Sequence, residues 1–169
     1  MSQTNELEIM ERIALDLERV EESLASSFNT GAEDFNALIR PLSAAGGKRL
    51  RAQLCLLIAN AGTSVERQRI RIAEAVEMLH LATLIHDDVL DQAEIRRGEE
   101  TIHMHKGNKV AILSGDYLFA KAFQIVSEMP NMKYLQIFSH IITCLVEGEF
   151  MQMEDVYRID QGIERYMTK

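Results

Sequence analysis

Apolar residues recur along this chain at intervals of three and four, while the strict alternation of a half-buried strand is scarce. In the first stretch, Met10, Ile13, Leu17, Val20 and Leu24 fall on one stripe, with acids and Arg19 around the rest of the turn. This predicts an amphipathic helix from about Asn5 that exits near Ser26 and Ser27. A weaker segment from Ala32 to Ala45 passes through Phe35, Leu38 and Leu42, and its internal Pro41 predicts a kink or two short helices. Gly46 and Gly47 make a flexible junction before KRLRAQLCLLIANAG, a helix expected to face a core through Leu50, Leu54, Leu57 and Ile58 until Gly62 stops it. Thr63 or Ser64 then caps a longer helix, wet from Arg67 to Ala75 and nearly all apolar from Val76 to Ile85, so its second half is expected to be buried. Polar residues from Gln92 to His105 read as a loop. Gly107 or Asn108 opens another helix through Ile112, Leu113, Leu118, Phe119 and Phe123, ended by Pro130. A last one runs from Asn131 toward Arg158 through Leu135, Phe138, Ile142, Leu145, Phe150 and Met153. The expected fold class is all-α, a helical bundle occupying 1–169 as one domain.

Composition narrows this picture. Two prolines and nine glycines in 169 residues leave most of the chain free of helix breakers. With 47% apolar and 26% charged residues the chain is too hydrophobic for disorder, and no stretch of about 18 uncharged apolar residues is present to cross a membrane. The formal charge of -8 gives nucleic acid no general reason to approach. Cys55 and Cys144 lie in apolar stretches without CxxC spacing, which predicts buried, reduced thiols rather than a disulfide or a zinc site. The opening MSQTNELEIMERI carries no signal-peptide pattern, so a cytoplasmic location is expected. The last residues, GIERYMTK, resume a helical pattern and stop, as expected of part of a larger helical unit.

The chemistry concentrates where VEMLHLATLIHDDVLD carries an apolar helix into Asp87, Asp88 and Asp91. Spacings of three and four put Asp91 beside both earlier acids, about 5 to 6 Å away at Cβ, where like charges repel unless water, a basic side chain or a divalent cation intervenes. Oxygen ligands suit magnesium better than zinc, and a diphosphate would complete the coordination. A solvated acidic face, or ion pairing with Arg96 and Arg97, is the plainer alternative. In GGKRLR, Lys48, Arg49 and Arg51 crowd a helix entry, and Lys48 and Arg51 share a face fit to clamp a diphosphate, against the alternative of an exposed basic patch. His80 precedes Asp87 by two helical turns and points along the same wall, unless it is simply a satisfied core histidine; His86 is better placed to orient an acid or cap the helix than to catalyse. Arg96 and Arg97 are close enough in sequence to fold back over the acids. His103 and His105 read as loop histidines, not zinc ligands. In EGEFMQMED, Glu149 and Gln152 share a face, and Gln152, beside Phe150 and Met151, is the better site candidate.

GGKRLR followed by HLATLIHDDVLDQAEIRRG resembles the amino-terminal half of the trans-type polyprenyl diphosphate synthases, in particular long-chain members of the heptaprenyl type. The likeness continues through SGDYLFAKAF and EGEFMQ, covering the chain from about Leu38. It implies that Asp87, Asp88 and Asp91 form the first aspartate-rich motif, holding Mg2+ against an allylic diphosphate. It implies that Lys48, Arg51 and His80 bind isopentenyl diphosphate, with Arg97 as a further contact. Arg96 is implied to meet the allylic diphosphate and Gln152 to belong to a polar wall. Ala52 departs from the family's usual proline without removing a charge. The implied reaction is departure of diphosphate from the allylic substrate, attack by the isopentenyl double bond, and loss of a proton to the departing diphosphate.

Thr83 lies one turn, about 6 Å, below Asp87, and Ala82 about 7.5 Å below, turned partly aside. Short-product members of the family carry aromatic stops near these positions, so the small Ala82 and Thr83 imply a long product of hexaprenyl to heptaprenyl size or beyond, with Leu79 and Val76 as a deeper floor. The second aspartate-rich motif and KT segment of complete members do not occur in this sequence beyond a possible first residue at Lys169. The chain is therefore expected to supply one wall of the site and to turn over little alone. The likeness also implies a homodimer at full length, with heteromers possible. A noncatalytic partner subunit and a terpene cyclase fragment are the alternatives; GGKRLR, which resembles a site for a second diphosphate, disfavours the cyclase.

Overall fold

A computed structural model describes residues 3–28, 33–44, 47–62, 64–160 and 162–168; Ala32, Ala45, Gly46, Thr63, Lys169 and the side chain of Leu42 lie outside the described part. The described elements are α1 (Gln3–Ser27), α2 (Glu33–Ala44), α3 (Leu50–Ala61), α4 (Glu66–Leu90), a hairpin of β1 (Ile95–Arg96) and β2 (Glu99–Glu100), α5 (Ile102–Lys106), α6 (Asn108–Ser127), α7 (Met132–Glu154) and α8 (Ile163–Thr168). The protein is an all-α bundle, as the periodicity predicts. It divides into two compact units, Met1–Glu128 with α1 to α6 and Met129–Lys169 with α7 and α8.

In the first unit α4 is the central helix. It packs on α1, on α3 and most extensively on α6. Its second half is apolar on nearly every side because it meets neighbours on several sides: Met78, Leu79, Leu81, Ala82 and Ile85 are all buried. Val76, His80, Thr83 and Leu84 are only half-buried, and with half-buried Asp87 they form a lengthwise strip that leads to the acids. The seam between α1 and α4 is partly ionic. Asp16, buried on the stripe that also carries Ile13, Val20, Leu24 and Phe28, accepts two bonds from Arg69, at 2.6 and 3.1 Å. Fully buried Glu74 accepts from Ser23, Ser27 and Arg71 at 2.6 to 2.7 Å.

Several expectations need correction. Leu50, Leu54, Leu57 and Ile58 are exposed by 46 to 65%, and α3 instead turns Ala52 and Leu56 inward. This helix is apolar around much of its circumference, and its small Ala52 permits close approach to α4, so its larger side chains take the outer face. Met10 is also exposed. Cys55 is half-buried and Cys144 exposed, both free; burial pushes the Cys55 thiol up. Ser64 does not cap α4: its hydroxyl donates to the Ala59 carbonyl, and Val65 occupies the cap position. Pro41 sits inside one continuous α2, which sets aside the alternative of two short helices. The supposed loop from Gln92 to His105 contains the hairpin and α5. By length and composition α6 could span a membrane, yet it carries Lys109, Asp116 and Lys121 and packs on α4.

Candidate functional site

Asp87, Asp88 and Asp91 occupy the last turn and C-cap of α4, the end of a helix where the dipole disfavours anions. They do not share one environment. Asp88 is buried and accepts a 2.6 Å bond from Arg96 Nε, whereas Asp91 is exposed and Asp87 half-buried. Burial, then the charge of Asp91, raises the Asp87 pKa; Arg96 opposes the rise, Asp88 adds to it, and His86 opposes it weakly. Asp87 and Asp91 thus present a surplus of negative charge at the open end of the strip. Among the described residues no three His, Cys, Asp or Glu side chains form a ready-made metal cage. Two carboxylates nevertheless fit Mg2+, which keeps several waters and commonly binds through one or two carboxylates together with substrate phosphates.

The cations are carried by the hairpin and by the entry to α3. The hairpin pairs Ile95 with Glu100 and Arg96 with Glu99, leaving Arg97 and Gly98 as its two turn residues, both at positive φ (55° and 88°). Two such residues match the right-handed strand twist, which is why so short a hairpin can close. Thr101 braces its base: the hydroxyl donates to the Ala93 carbonyl and the N–H to the Glu94 carbonyl. The Arg97 guanidinium lies over Gly47, where an added Cβ would stand 3.2 Å from Nη2. Burial lowers the His80 pKa; Arg51 lowers it further, Glu77 opposes, and Arg97 and Arg96 lower it again. Three arginines from two separate segments therefore act on one imidazole at mid-strip. Lys48 and Arg51 are exposed at the entry to α3, and the Lys48 carbonyl accepts from the Gln53 amide at 2.6 Å.

The wall residues separate by face. Val76 and Thr83 lie on the half-buried strip, the Thr83 hydroxyl donating to the His80 carbonyl, while Leu79 and fully buried Ala82 point into the packed side of α4. Gln152 is exposed and Glu149 half-buried on α7, in the second unit. His86 leaves the acids and packs on α6: its ring stacks on Phe119, centroids 5.5 Å apart, and its Nε2 lies 3.2 Å from the Ile112 carbonyl. A carbonyl only accepts, so the Nε2–H tautomer donates there. Gly115 makes room for it, since a Cβ would come within 2.2 Å of that nitrogen. His103 Nδ1 lies 3.0 Å from the Thr101 hydroxyl, and His105 is exposed. Sequence reasoning missed Thr101, Gly115 and Glu77; only Gly98, following two arginines, offered a turn signal.

The profile of the family described as polyprenyl synthetase matches residues 32–169. The chain belongs to this family. Among its relatives, the chain is 32% identical to solanesyl diphosphate synthase 1, chloroplastic, of Arabidopsis thaliana, over 95% of itself and 41% of that protein. It is 37% identical to heptaprenyl diphosphate synthase component 2 of Geobacillus stearothermophilus, over 91% of itself and 48% of that protein. The fold of this polyprenyl synthetase family member also matches the crystal structure of a polyprenyl synthase from Caulobacter crescentus CB15 complexed with calcium and isoprenyl diphosphate. That match has a TM-score of 0.88 and 32% identity, covering 95% of this chain and 49% of that one. The chain spans about half the length of the curated relatives it matches.

Proposed function

We propose that this chain forms one wall of a magnesium-assisted prenyl-transfer site that joins isopentenyl diphosphate to an allylic diphosphate. The observation that carries the reading is that the half-buried strip of α4 ends at Asp87, beside Asp88 held by Arg96, while the Arg97 guanidinium lies over Gly47 at the approach to Lys48 and Arg51, and the charges of Arg51, Arg97 and Arg96 all lower the pKa of His80 on that strip. Asp87 and Asp91 would hold the cation beside the allylic diphosphate, and Asp88 holds Arg96 next to them. Magnesium, when bound, neutralises the charge that grows on the departing diphosphate. Lys48, Arg51, His80 and Arg97 bind isopentenyl diphosphate, and Val76, Thr83 and Leu84 line a wall that keeps water from the allylic cation. The departing diphosphate takes the proton.

The small Thr83 supports a long product, as do relatives named for solanesyl and heptaprenyl chains. The active assembly is a dimer of the complete protein, with itself or with a related chain. The test is uptake of inorganic pyrophosphate by the 169-residue chain, with and without magnesium, beside synthesis from both substrates. Magnesium-dependent uptake that Asp87→Ala and Arg51→Ala both abolish is the expected result, with little turnover by the chain alone. Uptake indifferent to both substitutions refutes the site, and sustained synthesis refutes the one-wall reading.

A further inference from the structure

Of the three cations in KRLR, only two face outward. Arg49 is 7% exposed. Its Nε lies 2.5 Å from Glu21 Oε1 and its Nη2 3.1 Å from Glu21 Oε2, a two-pronged grip, while Nη1 stands 3.6 Å from Glu77 Oε2. Glu77 is itself buried, and its other oxygen accepts the Ala52 N–H at 3.0 Å, in the first turn of α3. Burial works against the guanidinium's charge, but the hydrogen bond and charge of Glu21 and the charge of Glu77 outweigh it and hold its pKa above the ordinary value. This arginine is committed to α1 and α4 and is not free to reach a ligand.

Its backbone is the second observation. Arg49 caps α3 in the left-handed conformation, φ 44° and ψ 38°, without a side-chain cap bond. That conformation is disfavoured for any residue with a Cβ and persists where surrounding contacts over-determine it. Here the contacts are Glu21 from α1 and Glu77 from α4, holding the turn from two elements. The turn lies between Lys48 and Arg51, both exposed. A hydrophobic residue could fill the same volume at similar stability, so burying an ion pair here points to specificity of geometry.

We propose that Arg49 is a positioning residue: its fork between Glu21 and Glu77 holds the left-handed turn that sets Lys48 and Arg51 at the spacing with which they meet a diphosphate. This rests on the diphosphate reading given above. The test uses the 169-residue chain and its variants Arg49→Met, Arg49→Lys and Glu21→Gln, the last a mild change because Glu21 is 43% exposed. Two quantities are measured, affinity for inorganic pyrophosphate with magnesium and amide hydrogen exchange.

Arg49→Met is expected to weaken pyrophosphate binding about tenfold and to speed exchange across residues 48–53 while α6 keeps its protection. Arg49→Lys restores only part of the affinity, since an ammonium has charge without the planar fork. Glu21→Gln gives a loss of about two- to threefold. Unchanged affinity in Arg49→Met and Glu21→Gln overturns the proposal, as does faster exchange spread equally through α6, which marks a purely structural role. If the unsubstituted chain takes up no pyrophosphate, the diphosphate reading itself fails and the positioning role fails with it.

Discussion

Asp87 sits in a setting that suits a ligand better than an empty site: half-buried, beside Asp91 and Asp88, at the negative end of a helix. Removing its charge relieves that conflict. Asp87→Asn is expected to stabilise the unliganded chain by about 0.5 kcal/mol, the scale of like-charge pairs three and four residues apart on a helix. A shift of the urea midpoint upward checks this, and a downward shift counts against it. The same substitution abolishes magnesium-dependent pyrophosphate uptake, so stability and binding move in opposite directions. Gly115 shows the reverse case, where a small residue serves packing alone. A methyl there collides with the His86 ring already stacked on Phe119, and Gly115→Ala is expected to cost about 1–3 kcal/mol. Adding His86→Ala removes the obstruction, so a double-mutant cycle in urea should show clear non-additivity; strict additivity argues against the contact.

At the scale of elements, α3 separates what a pattern reveals from what packing settles. Its leucines repeat at helical spacing on more than one face, and the inward face is that of Ala52 and Leu56. Leu56→Ala is expected to cost about 2–5 kcal/mol, whereas Leu54→Ala, on the exposed face, changes stability by less than about 0.5 kcal/mol. Equal losses in chemical denaturation would restore the face that periodicity favoured. The existence of the long helices was legible, because each repeats its own local signal many times over, whereas the five-residue α5 is too short to do so and read as loop. The hairpin was not, since strands of two residues are too short to show alternation and its turn places an arginine where asparagine is the common choice. The acids and outward cations of the site were legible as charge against an apolar background. Arg49 was not separable from Lys48 and Arg51, because its inward turn depends on Glu21 and Glu77, residues far along the chain.

For the molecule as a whole, folding should couple to pH through His80. Burial lowers its pKa in the folded chain below the ordinary 6.5, so the unfolded chain binds the proton more tightly. Above 6.5 both states are neutral and this source of stability is fully present; as pH falls from 6.5 toward the lower folded value, the unfolded state gains the proton first and stability drops. The unfolding free energy should therefore decrease between pH 7.5 and 5.5 in the unsubstituted chain and decrease less in His80→Gln. Identical slopes in urea titrations would remove His80 from the account. By itself the sequence determined the all-α class, the order of the long helices and the acidic and basic motifs, because periodicity and charge spacing are carried by residues near one another in the chain. Tertiary structure alone decided which face of α3 turns inward, which aspartate Arg96 occupies, and which arginine of KRLR is buried. Those choices depend on contacts between distant segments, where burial and charge pairing outweigh local preference.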